Sequence, residues 1–332
     1  MAPPSGPVKR CLALNFCTAA PEPNGWARLE HAVRQTVAAC PRCARPLRDN
    51  ADMNHPSSPS THPCILFIGG GNMASAIVGG LLRQGHPAQA LHIVEPCEQQ
   101  RSRLAQQFPG VAVSAQADSA VASAELVVWA VKPQVFKAAA LECAAHLTAT
   151  ALHLSVAAGI RSDSMVRWLG SERIVRAMPN TPALVGLGMT GLYARAAVSA
   201  AERAQVQTVL AGTGRTLWLP QEADLDAVTA LSGSGPAYVF YFLEAMCRAG
   251  TELGLTPQAA TELALGTFVG AAQLAQSSSE PPEVLRQRVT SKGGTTHAAL
   301  SHLEAAQVGD SFVAAIAAAH RRARELGQEF GA

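Results

Sequence analysis

Two stretches of this chain carry residue types whose spacing can do chemistry. The first, Gly69-Gly70-Gly71-Asn72-Met73-Ala74, reads G-x-G-x-x-A. Gly69 permits a tight turn, Gly71 removes the Cβ that would block a pyrophosphate, and Ala74 lets the next helix pack closely on the preceding strand. The free N–H groups and partial positive charge of a helix N-terminus then favour phosphate. The second stretch is Ser291-Lys292-Gly293-Gly294-Thr295-Thr296. Glycines at a helix entry expose backbone N–H groups, and three hydroxyls and a lysine stand beside them. That set suits a small carboxylate such as an amino or imino acid. An ordinary capped helix start, with Thr295 or Thr296 as N-cap, accounts for the same residues equally well.

The elements that must position these stretches are legible in the apolar pattern. Cys64 to Ile68 is a short buried-strand run, and a helix at about 73–84 follows the glycines and stops at Gly85. A second strand, 91–94, ends at Glu95, 26 residues after Gly69. An acid there accepts hydrogen bonds from an adenosine ribose 2′-OH, unless it is simply a surface acid. A third, 126–131, stops at Lys132-Pro133, at the carboxyl end of a strand, where ligands of such sheets bind. A solvated strand-end lysine is the plainer reading of Lys132. The Glu95 carboxylate favours a hydroxyl and repels a 2′-phosphate, while Arg101 and Arg103 on the following helix are within reach of one. The balance leans to NADH and leaves NADPH open.

Strands at 151–156, 173–178, 190–194 and 214–219, with a helix at 199–211, continue the alternation. Strands alternating with helices give an α/β, doubly wound sheet. After Pro220 the pattern is helical: 224–231, a break at Ser232 to Gly235, 237–253, 257–276 with Thr256 as N-cap, 282–289, 297–306 and 309–327. The expected organisation is a Rossmann-type dinucleotide-binding domain over 63–220 and an all-α dimerisation and substrate domain over 221–330. The run Leu263 to Ala272 is apolar on more than one face and therefore expected to be buried. A helical domain of about 110 residues built this way lacks the polar surface to stand alone, and a homodimer with intertwined helices would cover it.

Composition narrows the classes. The 332 residues suggest about two domains, 48% are hydrophobic and 15% charged, and the formal charge is +2. Such a balance argues against coating nucleic acid or anionic membrane, and three Tyr and four Trp make no stacking platform. No uninterrupted apolar run reaches membrane-spanning length. Ten of the 21 prolines lie in residues 1–63, which carry seven Lys/Arg against four acids. Residues 1–62 therefore read as a disordered extension with one short helix at 26–39. They lack a secretory apolar stretch and fit a transit peptide poorly; a start at Met53 is an equal alternative. Cys40-Pro41-Arg42-Cys43 is a lone C-x-x-C, short of a four-ligand set, so no metal site is expected. Cys64, Cys97, Cys143 and Cys247 read as small buried hydrophobes in a reducing compartment, with a cytoplasmic location as the default.

Five stretches in order resemble the pyrroline-5-carboxylate reductase family. They are Ile68-Gly69-Gly70-Gly71-Asn72-Met73, Ala130-Val131-Lys132-Pro133-Gln134, Met178-Pro179-Asn180-Thr181-Pro182, the run Ala230-Leu231-Ser232-Gly233-Ser234-Gly235-Pro236-Ala237-Tyr238, and the run from Val289 to Thr296. The resemblance covers residues 64 to about 327. It implies reduction of 1-pyrroline-5-carboxylate to L-proline, the final step of proline synthesis, with NADPH or NADH. It implies that Ile68, Gly69, Gly70, Gly71, Asn72 and Met73 hold the pyrophosphate. Ala130, Val131, Lys132 and Pro133 would contact the ribose and nicotinamide side, with Ala157 and Ala158 flanking the nicotinamide. Ser291, Gly294 and Thr295, with Gly293 in the same site, would bind the substrate carboxylate, and Thr296 would hydrogen-bond the ring nitrogen as the catalytic-site residue. Sites at a dimer interface, and dimers assembling towards decamers, also follow.

Three positions depart from the family pattern: Ala117 where some members have asparagine near the adenosine, Glu95 at a strand end where others have Ser, Asn or Asp, and Lys292 in place of proline. The first two leave the choice of nicotinamide open. A β-hydroxyacid dehydrogenase would need a helix lysine, and none lies between Lys137 and Lys292. Another NAD(P)-dependent imine oxidoreductase, or a cofactor sensor without activity, is the remaining rival; a sensor would have no use for the 291–296 loop.

Overall fold

The computed structural model describes residues 62–117 and 122–331. The readings for residues 1–61, including the extension, the 26–39 helix, the Met53 start and the Cys40–Cys43 pair, lie outside them. Eight strands form one sheet in the order β3-β2-β1-β4-β5-β6-β7-β8. They are β1 (Ile65–Ile68), β2 (Leu91–Val94), β3 (Ala112–Ser114), β4 (Leu126–Trp129), β5 (Leu152–Ser155), β6 (Ile174–Met178), β7 (Gly188–Ala194) and β8 (Gly214–Trp218). The helices among them are α1 (Asn72–Arg83), α2 (Glu98–Gln107), α3 (Pro133–Ala144), α4 (Ser162–Leu169) and α5 (Ala200–Leu210). β3 was not expected: its three weakly apolar residues are too few to show a pattern, and pairing with β2 alone defines it.

Every residue of β1 and β4 is buried, as continuous apolar runs in a sheet covered on both faces must be. Ile65 and Phe67 pack with Ile77 and Val78 of α1 on one face. Leu66, Ile68 and Trp129 pack with Phe136 of α3 and Met165 of α4 on the other. All pairings are parallel except β6 with β7. Between those two the chain has only the 3₁₀ turn Thr181–Val185 and Gly186 at φ +75°. That is too short for a crossover helix, so the strand must run back antiparallel.

After Trp218 the described chain is helical: α6 (Asp224–Val228), α7 (Gly235–Glu252), α8 (Pro257–Ser277), α9 (Pro282–Arg288), α10 (Thr295–Ala305) and α11 (Val308–Phe330). Thr256 caps α8 by accepting from the Ala259 N–H at 3.2 Å. The expected break at Ser232 to Gly235 is instead a π-turn, Thr229–Gly233, that joins α6 to α7. Gly233 packs there under Met178, whose Cε would lie 2.6 Å from an added Cβ and would have to move aside.

A charged junction holds this helical part to the sheet. Glu222 Oε1 accepts from Arg176 Nη1 at 2.8 Å and from the Ser162 N–H at 2.6 Å, and its Oε2 accepts from Ser162 Oγ at 2.7 Å. Arg161 pairs with Asp226 at 2.7 Å. The end of α11 closes on α4, where the Gly331 carbonyl accepts from Ser164 Oγ and Arg167 Nη2, each at 2.7 Å. Burial alone would raise the Glu222 pKa, but Arg176 and the two Ser162 hydrogen bonds outweigh it and hold it below the ordinary carboxylate value.

Two expectations change. Of the four cysteines described, Cys143 alone is fully buried, with its thiol pushed up to about 11 by burial, whereas Cys97 is exposed because it lies in the connection from β2 to α2. In α8 only Ala260 and Ala264 are buried, while Leu263, Val269 and Leu274 are each more than half exposed. The cover that this apolar helix needs is not present within one chain.

Glu222→Gln should cost about 3 kcal/mol at pH 7 by leaving the Arg176 guanidinium buried beside a neutral partner. Because the folded carboxyl titrates lower than the unfolded one, the stability it adds is complete above the unfolded pKa near 4.3 and is lost as pH falls through the folded value. Urea unfolding at fixed protein concentration should therefore show the gap between wild type and variant closing below about pH 4.

Candidate active site

The ends of β2, β1, β4 and β5 lie side by side and form one rim of the sheet. Most residues singled out in the sheet half of the sequence stand on it. Gly69 follows β1 at φ +94°, and its N–H donates to the Val94 carbonyl at 2.8 Å while the Ala130 N–H donates to the Ile68 carbonyl at 2.8 Å. A Cβ on Gly69 would meet the Ala130 carbonyl oxygen at 2.8 Å and Val131 Cγ1 at 2.9 Å, so the turn is sewn between two neighbouring strands and admits no side chain. Gly71, by contrast, is exposed at the N-cap of α1 with nothing within 4 Å of an added Cβ. No side chain caps α1 and its first turn holds no acid, so the N–H groups of Asn72, Met73 and Ala74 face out without helical acceptors.

Glu95 has a role the sequence did not reveal. Its Oε2 accepts from the Gly70 N–H at 2.9 Å and its Oε1 from the Cys97 N–H at 2.9 Å. Gln100 Nε2 donates to the Gly70 carbonyl at 2.7 Å, so the Gly70 residue is gripped at both its N–H and its carbonyl. Further along the rim, Lys132 is the N-cap of α3 and Pro133 its first residue. Ala157 is buried, with its N–H on Ser155 Oγ at 3.3 Å, and Ala158 is half-buried beside it. A rim of this kind fits a dinucleotide: a helix N-terminus with open space in front of Gly71, and a carboxylate at the end of the neighbouring strand.

The 291–296 loop lies between α9 and α10. The Gly294 N–H donates to the Ser291 carbonyl at 3.0 Å and Gly293 sits at φ +75°, the pattern of a type II turn. Lys292 occupies the second position, the one proline favours, which explains how it can stand in proline's place. Helix α10 begins at Thr295, two residues before expectation, with Gly294 as N-cap and no side-chain cap. Neither threonine is therefore the N-cap. An extended glycine supplies that position, and a Cβ on it would collide with Ser291 Oγ at 2.6 Å. Thr295 is exposed and Thr296 half-buried in the first turn, where their N–H groups have no helical acceptor. The hydrogen bonds of the loop are to its own neighbourhood, and an added Cβ on Gly293 would meet open space.

Asn180 was quoted in a motif but given no role. Its Nδ2 donates to the Ser232 carbonyl at 3.1 Å and its Oδ1 accepts from the Met189 N–H at 2.9 Å, which ties the end of β6 to the π-turn. It borders an apolar cavity of about 530 Å³ shared with Pro236, Tyr238, Phe242 and Phe312. The polar residue between two prolines was the available signal.

A mostly parallel sheet with this glycine turn, followed by an apolar helical domain, defines an NAD(P)-dependent oxidoreductase of Rossmann type. Residues 222–326 match the family model "Pyrroline-5-carboxylate reductase dimerisation", and residues 64–159 match "NADP oxidoreductase coenzyme F420-dependent". A pyrroline-5-carboxylate reductase of Pseudomonas aeruginosa is 47% identical over 270 residues, spanning 81% of this chain and 98% of that protein. The chain belongs to the pyrroline-5-carboxylate reductase family. Its fold matches that of a pyrroline-5-carboxylate reductase from Coxiella burnetii with a TM-score of 0.74 at 37% identity, covering 80% of this chain and 98% of that one. A Plasmodium falciparum pyrroline carboxylate reductase with NADP bound matches with a TM-score of 0.72 at 26% identity, over 80% and 98%.

The two outer glycines should respond oppositely to alanine. Gly69→Ala should destabilise by about 2 kcal/mol or more, through the positive φ and the Ala130 contact. Gly71→Ala should change stability by no more than about 1 kcal/mol but weaken nicotinamide dinucleotide binding about tenfold. Thermal unfolding and calorimetric titration of the two variants check this.

Proposed function

We propose that the chain reduces the C=N bond of 1-pyrroline-5-carboxylate to give L-proline, with NADH or NADPH as donor, at a site assembled from two copies. The observation that carries the two-copy reading is a helical domain whose large apolar side chains stand uncovered in one chain. Leu253 is 85% exposed, Val313 67% and Leu263 60%. An apolar surface of that extent is an interface awaiting its partner. Family membership supports oligomerisation through this domain. We take the unit to be a homodimer that can assemble further towards a decamer.

Ile68 to Met73 hold the diphosphate at the N-terminus of α1. Ala130 to Pro133 line the nicotinamide side, and Ala157 and Ala158 flank it with small side chains that let a flat ring approach. When bound, the reduced nicotinamide supplies a hydride to the imine carbon. Ser291, Gly293, Gly294 and Thr295 take the substrate carboxylate at the N-terminus of α10. The Thr296 hydroxyl accepts from or donates to the ring nitrogen and fixes which face of the imine is presented. A C=N carbon accepts hydride far more readily once its nitrogen is protonated. Thr296 is too weak an acid to supply that proton, so it arrives with the substrate or from water. Orientation carries most of the rate. Among the described residues no helix is long and apolar enough to cross a membrane, and a cytoplasmic location suits a pathway built on small soluble intermediates.

Thr296→Ala should lower kcat/KM for 1-pyrroline-5-carboxylate by one to two orders of magnitude, about 1.4–3 kcal/mol. Steady-state absorbance loss of NADH and NADPH in parallel measures it, and unchanged kinetics would remove Thr296 from the site. Light scattering at micromolar concentration should return at least twice the mass of one chain; a monomer with full activity would sink the two-copy reading.

A further inference from the structure

The rim carries one feature that goes beyond the choice of either nicotinamide cofactor. We infer that Glu95 makes this chain an NADH-preferring enzyme, because the carboxylate that grips the glycine turn also occupies the place a 2′-phosphate would need. The inference rests on the dinucleotide site proposed above.

The geometry runs from the turn outward. β1 and β2 are neighbours in register, with Ile68 opposite Val94. Glu95 is the first residue beyond β2 and stands beside the turn that receives the diphosphate. Its two oxygens accept from the N–H groups of Gly70 and Cys97. Those bonds, with Gln100 on the other side of Gly70, keep the carboxylate from swinging into solvent. A ribose with free hydroxyls offers donors to such a carboxylate. A 2′-phosphate, with a charge of roughly −1.5 to −2, offers none that compensate and is repelled.

The neighbouring cations do not reverse this. Arg101 Nη1 donates to the carbonyls of Glu95 at 3.0 Å and Pro96 at 2.7 Å, so it is turned onto the main chain of the β2–α2 connection. Arg103 lies two residues further along α2, on another side of the helix, and is exposed. The two arginines do not converge on one point as a phosphate clamp requires. Ala117, three residues past β3, brings no polar side-chain atom.

The test compares wild type, Glu95→Gln and Glu95→Ser in the full-length protein. Dissociation constants for NADH and NADPH are measured by calorimetry at low and high salt, and kcat/KM for both with 1-pyrroline-5-carboxylate. Wild type should bind NADH about tenfold or more tightly than NADPH, with the ratio shrinking as salt screens the repulsion. Both variants should bring the ratio towards one, chiefly by binding NADPH more tightly. Glutamine keeps an acceptor for the Gly70 N–H, so its fold is expected to hold, and serine tests the charge without the length. Wild type binding NADPH as tightly as NADH overturns the inference, as does an equal loss of both dinucleotides in both variants, which would leave Glu95 only its grip on the turn. The readings separate cleanly. Faster turnover with NADPH would overturn the preference and keep the reaction. Tight NADH binding with no turnover of the imine would overturn the reaction and keep the preference.

Discussion

The structure depends on a place where there is no room. Between the end of β1 and the carbonyl of Ala130, a Cβ on Gly69 would have 2.8 Å, less than any side chain tolerates. That close approach lets the chain turn at φ +94° directly from a central strand into α1, so the helix N-terminus opens on the same rim as the ends of β2, β4 and β5. Gly71, two residues on, is a glycine for the opposite reason, since open space lies before it. One glycine is demanded by the protein's own contacts and the other is not. Glu95 and Gln100 then hold the residue between them, so the turn is fixed by side chains from an adjacent strand end and helix rather than by its own sequence.

The second half of the molecule works by incompleteness. Its helices bury small residues, such as Ala260 and Ala264, against one another and leave Leu263, Val269 and Leu274 uncovered. What the single chain does secure is the joint to the sheet: Arg176 and Ser162 on Glu222, Arg161 on Asp226, and the end of α11 on Ser164 and Arg167. The helical domain is thus anchored firmly at one end and apolar and uncovered elsewhere.

How much was legible depends on whether a feature was local. The glycine turn, the strands β1, β2, β4 and β5, and the cap of Thr256 on α8 are written in short-range apolar runs and turn residues, and they appear within a residue or two of expectation. The start of α10 was misplaced because Gly294, placed by the turn it closes on the Ser291 carbonyl, takes the cap rather than a threonine. β3 escaped because three weakly apolar residues have no periodicity until β2 lies beside them. The direction of β7 was hidden too, since it follows from a connection length that means nothing until β6 is placed.

By itself the sequence determined the order of elements, the alternation that makes a doubly wound sheet, the motifs of the family and the apolar helices that call for a partner. These are consequences of local stereochemistry and of hydrophobic period, which need no neighbour to be read. Tertiary structure alone decided that Glu95 grips Gly70 and that Asn180 bridges the β6 end to the π-turn. Each of those depends on residues 25 or more positions apart meeting in space. Hydrogen bonds of that range carry no trace in the chain until the sheet has fixed the distances between its strands.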